Sequence, residues 1–213
     1  MPSNDWFRRK TWTPQDREDF FARLRRARGA FSKAQYARIQ AYELLTVRAS
    51  WAYRAALELL EMILAEWQEY AQIASVHHHR AECLAGLGDR EAAVAAYRDV
   101  FTTQRDRKGE RTDAHLDFGW LVATTPLPQL YDEALALLDQ FGDGPFPVQQ
   151  YRAAAIRALI HAVRGESKKA QRWARSALDA ASAQSSGFPY HVTVGLVESP
   201  EKGVHETLQS LAG

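Results

Sequence analysis

The chain has 213 residues, of which 46% are hydrophobic and 25% are charged, and its formal net charge is +1. This balance is ordinary for a folded protein and excludes a strongly basic nucleic-acid-binding or strongly acidic composition. Cys83 is the single cysteine, so no intrachain disulfide is possible, and a reducing cytoplasm is the expected location. No apolar run approaches the about 18 residues of a membrane-spanning helix, and the first ten residues lack the apolar core of a signal peptide.

Helix signals follow one another along most of the chain. Thr13-Pro14 predicts the first helix, because threonine caps helices and proline is tolerated at the first helical position. Gly29 is expected to end this helix near Arg28. Its apolar side chains recur at helical spacing and predict a buried stripe of Phe20, Leu24, Ala27 and Phe31. Further helices are predicted over about 33–48, from about 50, and over 68–87, 89–104, 112–125, 131–141, 147–164 and 167–183.

The breaks between these helices are marked by turn residues. Gly88 can adopt the positive φ that ends a helix, and Asp89 can cap the next one. Residues 105–111, all charged but for one glycine, predict a surface loop, and Pro126 and Pro128 predict another break. Residues 191–197 are the only β-like run, which predicts an extended strap, and a short final helix is expected after Pro200.

Patterns similar to the sequence around Gly88 recur along the chain. When they are aligned on one small residue, Ala56, Ala93, Ala134 and Ala170 lie 37, 41 and 36 residues apart, which predicts one helical hairpin per repeat. The pattern resembles the second helix of the tetratricopeptide repeat. The residues that carry this resemblance are Gly88, Ala93 and Tyr97 in one repeat, Tyr131, Ala134 and Leu138 in another, and Gly165, Ala170 and Ala177 in the last.

This resemblance implies an all-α fold, a right-handed superhelix of antiparallel helix pairs of the α-solenoid type. We expect an N-terminal arm and extra helix over 1–34, about four hairpins over 35–185, and a C-terminal extended strap with a capping helix over 186–213. Together these segments are expected to form one structural domain. The terminal helix would then cover the open apolar end of the array.

The resemblance also implies a function, which is the binding of a protein or peptide partner in the concave groove of the array. Transferred by register, the polar positions of that groove are Arg38, His78, Glu82 and Arg152. The family's carboxylate clamp needs asparagine together with lysine and arginine. The only asparagine here is Asn4, which lies outside the repeats, so a clamp of that kind is not expected.

No pattern in the sequence indicates catalysis or metal binding. Adjacent helical residues point about 100° apart, so His77, His78 and His79 cannot all face one ion, and no metal-ligand motif accompanies them. We expect His77 to pack between helices and the other two histidines to lie on more open faces. Cys83 lies at core spacing, and no nucleophile motif or phosphate-binding glycine loop occurs. We therefore expect a protein without catalytic residues, bound metal or cofactor, and not an enzyme.

The distribution of charge keeps two other functions open. Residues 1–40 hold ten Lys and Arg against four Asp and Glu, whereas the remaining residues hold seventeen against twenty-two. One alternative is an immunity or regulatory protein that blocks a specific protein target through its charged edge. The other is nucleic-acid binding by the basic N-terminal segment, in which arginines lie near Trp6, Phe7 and Trp12. The near-neutral charge of the whole chain argues against the second alternative.

Overall fold

A computed structural model describes residues 5–68, 70–107 and 109–213, and the regular structure in these ranges is entirely helical. No helix of the described residues is long and apolar enough to cross a membrane. The described ranges contain ten α-helices and a short 3-10 turn at Pro128–Leu130. The helices are α1 Pro14–Arg26, α2 Ala30–Leu45, α3 Ser50–Glu66, α4 Ile73–Gly86, α5 Arg90–Asp106, α6 Ala114–Thr124, α7 Tyr131–Phe141, α8 Pro147–Val163, α9 Ser167–Ala181 and α10 Lys202–Ala212.

The chain divides into two compact units between Ala114 and His115. In the first unit α2 packs on α3, α3 on α4 and α4 on α5, with α1 against α2. In the second unit α8 packs on α9, and α10 lies against both. Within each unit, most of these packed pairs are helices that follow one another in sequence. The prediction of an all-helical chain built from adjacent helix pairs is confirmed, while the boundary predicted between residues 34 and 35 falls inside α2.

The core of the first unit is built from large aliphatic side chains and from small residues that let helices approach closely. Leu44, Leu59, Leu60 and Ile63 are fully buried, as is Cys83. The aligned small residues of the repeat are also buried. Ala56, Ala93 and Ala134 have no exposed surface, and Ala170 has 1%. Because the alanine side chain is small, two helix backbones can approach closely at these positions.

The N-terminal arm, residues 5–12, is held against α1 and α2. Fully buried Gln40 accepts a hydrogen bond from the backbone N–H of Arg9 at 3.0 Å and donates one to its carbonyl at 2.7 Å. Trp6 lies over the core, with its ring 5.3 Å from Phe20 and 5.0 Å from Tyr36. One buried amide therefore satisfies both backbone groups of the arm residue that it faces.

The α4–α5 and α8–α9 hairpins turn in the same way. Gly88 and Gly165 have φ of +83° and +73°, and each follows the last turn of a helix by two residues. The residue after each glycine donates its N–H to a carbonyl five residues back, which closes the helix end. Asp89 then caps α5 by accepting from the Ala92 N–H at 3.1 Å. At the α2–α3 corner the left-handed position is held by Arg48, with φ of +56°.

The second unit centres on α8, whose inward face is almost entirely alanine and isoleucine. Ala154, Ala155 and Ala158 contact Ala174 and Ala177 of α9, and Val204 and Leu208 of α10 complete this cluster. On α6 a glycine permits close approach, because a Cβ at Gly119 would lie 3.0 Å from the Ile156 side chain. The predicted final helix thus covers apolar surface of the α8–α9 pair.

Two local expectations are wrong. Phe31 is not part of the buried stripe: α1 ends at Arg26, and Phe31 lies in the first turn of α2 with 54% of its surface exposed. The run at 191–197 is not extended but folds into successive turns, closed by hydrogen bonds such as Val194 N–H to the His191 carbonyl. No described strand lies beside this run. Its backbone groups bond within the run and to other segments: the Val192 carbonyl accepts from the Ser186 N–H, and the Gly195 carbonyl accepts from the Val148 N–H at the start of α8, both at 2.8 Å.

Candidate functional site

Arg38, the first predicted groove residue, lies half-buried on α2. Its Nε is 3.5 Å from the hydroxyl of Tyr70, and that hydroxyl donates to Oε1 of Gln72 at 3.0 Å. The guanidinium is thus positioned by an aromatic hydroxyl while part of it stays open to solvent. A positioned, partly open arginine suits the recognition of a carboxylate.

His78 and Glu82 lie one turn apart on α4, as their spacing requires. The expected exposure of the histidines is wrong: His78 and His79 are each 9% exposed, whereas the His77 side chain is 19% exposed. The rings of His78 and Tyr97 are 6.1 Å apart, and those of His79 and Tyr42 are 5.2 Å apart. His78 therefore faces α5 and His79 faces α2, because α4 packs against both of these helices as well as against α3.

Arg152 belongs to the second unit, on α8, and it already has an acidic partner. Its guanidinium lies 2.6 Å from a carboxylate oxygen of Asp117 and 5.4 Å from the centre of the Trp120 ring. Both members of the ion pair are mostly buried, with side-chain exposures of 27% and 20%. Arg152 therefore has a structural role in joining α6 to α8, whatever else it contacts.

The basic N-terminal segment divides into two parts. Arg8 pairs with Glu43, Arg9 with Asp16 and Arg17 with Glu58, so these three cations are occupied within the first unit. Beyond them, the chain from Phe20 to Tyr42 contains six basic residues and no acidic one. The basic residues of that stretch are Arg23, Arg25, Arg26, Arg28, Lys33 and Arg38.

A cleft of about 540 Å³ opens beside this acid-free stretch, wholly within the first unit. Its lining is formed by the start of α2 and by the end of α3 with the segment that follows. The lining residues are Ala30, Phe31, Ala65, Glu66, Trp67, Gln68 and Tyr70. The Phe31 and Tyr70 rings are 5.5 Å apart, so exposed Phe31 leans on buried Tyr70 at one wall.

The cleft could not be predicted while Phe31 was assigned to the core stripe of α1. Gly29, which predicts the end of α1, is also the signal that Phe31 belongs to the next helix. It directly precedes α2 and has φ of +77°, so the helical phase restarts there. With α2 starting at Ala30, Phe31 belongs to a different face from Phe20 and Leu24.

Two residues of the segment predicted to be a surface loop, Arg107 and Glu110, form hydrogen bonds to the chain that follows α3 and to the start of α4. Arg107 donates to the carbonyls of Gln68 at 3.1 Å and Tyr70 at 3.2 Å. Glu110 accepts from the backbone N–H of Ala74 at 3.0 Å and from both the N–H and the hydroxyl of Ser75 at 2.9 Å. Its carboxylate therefore caps the N-terminus of α4, where the helix dipole favours negative charge. Lys108 lies outside the described residues.

Three titratable groups have a pKa shifted by their surroundings, two by burial and one by a neighbouring cation. Burial raises the pKa of the Cys83 thiol to about 12, so this sulfur is protonated and a poor nucleophile at neutral pH. Burial also lowers the pKa of His77, although Asp99 opposes this effect from 3.9 Å. In the second unit His161 lies 3.0 Å from a carboxylate oxygen of Glu166, which also binds Lys169 at 2.6 Å. Mainly because of the Lys169 hydrogen bond, the pKa of Glu166 is lowered and its carboxylate stays charged.

The geometry of these residues is typical of recognition. The first unit offers a positioned arginine, an aromatic cleft and a stretch of exposed cations. Comparisons with models of protein families, with curated proteins and with solved structures find no match to this chain.

Proposed function

We propose that this chain is a non-catalytic scaffold that binds a protein or peptide partner in the manner of tetratricopeptide repeats. In this proposal the helix pairs form a right-handed superhelical array, and Arg38, His78, Glu82 and Arg152 face its concave groove. The supporting observation is the burial of all four aligned small residues, Ala56, Ala93, Ala134 and Ala170, at positions set by a repeat of about 38 residues. A repeat that stacks hairpins creates an extended surface, and such surfaces are used for binding.

The chemistry of the groove residues suits a partner with fixed charges. Arg38 is half-buried and its Nε is 3.5 Å from the Tyr70 hydroxyl, and Glu82 is half-exposed one turn from His78. Cations and an anion on one surface favour a partner segment that carries charges of both signs. The cytoplasmic location, like the partner itself, stays a prediction.

The proposal is tested by capturing partners on the tagged full chain after nuclease treatment and identifying them by mass spectrometry. Affinity for a captured partner is then measured for Arg38→Glu alone and combined with Arg152→Gln. We expect the double variant to weaken binding by about 2–4 kcal/mol, through lost and reversed charge contacts. Arg152→Gln is chosen because reversal would place two carboxylates together at Asp117.

Two exposed arginines of the basic segment provide the comparison that decides between surfaces. Arg25→Glu with Arg28→Glu should leave a groove partner's affinity unchanged, because neither residue is at a groove position of the repeat. Loss of binding in this pair, with full binding in the Arg38 variants, would refute the groove and favour recognition through the charged edge. Capture that disappears on nuclease treatment would favour nucleic acid instead.

A further inference from the structure

The cleft between the start of α2 and the end of α3 combines aromatic residues with a single charged one. Phe31, Trp67 and Tyr70 are aromatic members of its lining, and Glu66 is the one charged residue among the described lining residues. Phe31 is 54% exposed and Trp67 is half-buried, whereas Tyr70 is buried and supports the Phe31 ring at 5.5 Å. Two aromatic residues therefore keep accessible surface in a cleft of about 540 Å³, a volume typical of ligand sites.

The charge of this lining is negative. Glu66 is the last residue of α3, and the final turn of that helix contains no basic side chain. The partial negative charge of the helix C-terminus therefore adds to the charge of the Glu66 carboxylate. Glu66 is exposed, and it forms no ion pair with another described residue. Because aromatic ring faces are negative as well, three features of the cleft attract a cation.

The hydrogen-bond acceptors next to the cleft already have donors. Arg107 donates to the Gln68 carbonyl at 3.1 Å and to the Tyr70 carbonyl at 3.2 Å. The Tyr70 hydroxyl lies 3.5 Å from Nε of Arg38 and donates to Gln72 at 3.0 Å. A primary ammonium must satisfy three N–H donors, whereas a quaternary ammonium has none and packs its methyl groups on aromatic rings. The lining therefore suits a quaternary ammonium better than a primary one.

We propose that this cleft binds a trimethylammonium group against Phe31 and Trp67, with Glu66 as the counter-ion. The methyl groups carry the positive charge to the aromatic rings, and the carboxylate balances that charge. A small molecule such as choline and a trimethylated lysine of a partner protein carry the same head group, so either can be its source. This inference goes beyond the groove proposal, since none of the four groove residues lines the cleft.

The probe is choline, titrated into the isotopically labelled full chain and followed by NMR chemical shifts and by calorimetry. Its neutral control is the dimethylbutanol in which carbon replaces the quaternary nitrogen, so that the shape is kept and the charge is removed. Ethanolamine is the second control, because its primary ammonium keeps the charge and adds three N–H donors. We expect choline to bind about tenfold more tightly than either control.

A peptide identifies the source of the head group. A short neutral peptide with blocked ends and one central lysine is titrated with that lysine either trimethylated or unmodified. The unmodified peptide should bind about tenfold more weakly than the trimethylated one. Tighter binding of the trimethylated peptide than of choline indicates a modified partner protein, and equal or weaker binding indicates a small molecule.

The protein variants locate the ligand. Glu66→Gln removes only the charge and should weaken choline about fivefold, and Phe31→Leu removes the ring but keeps an apolar side chain and should weaken it about threefold. The matched control is Glu91→Gln, the same change at an exposed residue near the start of α5. The 14 residues of α4, about 21 Å, separate Glu91 from the cleft, so this control should stay within about twofold of the unchanged protein.

Thermal melts show whether the variants are folded. Because Glu66→Gln removes an acidic group from a helix C-terminus, its melting temperature should be unchanged or raised while choline binding falls. A structural role for Glu66 would instead lower the melting temperature.

Five results would overturn the inference. The first is the absence of binding by both choline and the trimethylated peptide at about 10 mM ligand. The others are equal binding of the neutral analogue, equal binding of ethanolamine, full binding by the Phe31→Leu variant, and equal loss in Glu66→Gln and Glu91→Gln. Partners of the groove are captured and measured separately, so either proposal can fail while the other stands.

Discussion

Replacement of the buried amide that holds the N-terminal arm should release that arm. Gln40→Leu keeps the side-chain size but removes both hydrogen bonds to Arg9. Each bond contributes about 0.5–1.5 kcal/mol, so the arm should lose about 1–3 kcal/mol of local stability. That change corresponds to a roughly 5- to 150-fold rise in the population of the detached arm.

Trypsin provides the assay, because the arm carries Arg8, Arg9 and Lys10 in succession. Under conditions where opening is fast relative to cleavage, the initial rate of cleavage within the arm follows the detached population. Gln35→Leu is the matched control, since it makes the same chemical change on the same helix at a half-exposed position. Equal cleavage rates in the two variants would show that the Gln40 contacts do not hold the arm.

Four further substitutions test the fold. Ala93→Leu should overpack the α4–α5 contact and lower the free energy of unfolding by about 1–3 kcal/mol in urea titrations, and an unchanged midpoint would disprove the repeat alignment. Glu110→Ala should destabilise the first unit by about 1–2 kcal/mol and speed amide exchange in the first turn of α4. Arg48→Gly should raise the unfolding free energy by about 0.5–1 kcal/mol, because glycine relieves the positive φ; a loss would contradict that reasoning. Asp16→Asn should lower the free energy of unfolding at pH 7 but not near pH 2. Hydrogen bonds, chiefly from the Thr13 backbone, lower the pKa of Asp16 from 3.8 to about 2. The stabilisation by this carboxylate is therefore lost as the pH falls through that value.

The elements that could be predicted from the sequence are those fixed by neighbours in the chain. Gly88 and Asp89 form the corner between α4 and α5 because positive φ and side-chain capping are decided within a few residues. Thr13 and Asp16 form a capping box for the same reason. Such local signals predicted which segments are helical and placed most helix ends to within a few residues.

Contacts between distant polar residues could not be predicted in this way. Gln40 and Arg9 are 31 residues apart, and Glu110 lies 36 residues from Ala74. In sequence, glutamine within an amphipathic helix and glutamate in a charged loop are both typical of exposed positions. Gln40 is instead buried, and Glu110 is half-buried. Most of their hydrogen-bond partners are backbone groups, and a contact to the backbone leaves no pattern in the sequence.

For the proposed groove, which stays a prediction, the sequence supplies positions within the repeat but no contacts. The repeat register named Arg38 and Arg152, but it could not show that Tyr70 positions one and that Asp117 already pairs with the other. The cleft was missed because a single shift of helix phase at Gly29 moves Phe31 from a core stripe to an open wall. A site formed by an exposed side chain and a helix end that is distant in sequence can be identified only from the tertiary structure.

Cys83 makes this protein convenient for site-specific labelling. It is the only sulfhydryl in the sequence, it is fully buried, and its pKa of about 12 keeps it from reacting with maleimides near neutral pH. A cysteine introduced at exposed Arg25 or Arg54 would therefore carry a dye or spin label while Cys83 is kept. The distance between two such labels can then report whether α1 moves relative to α3 when a partner binds.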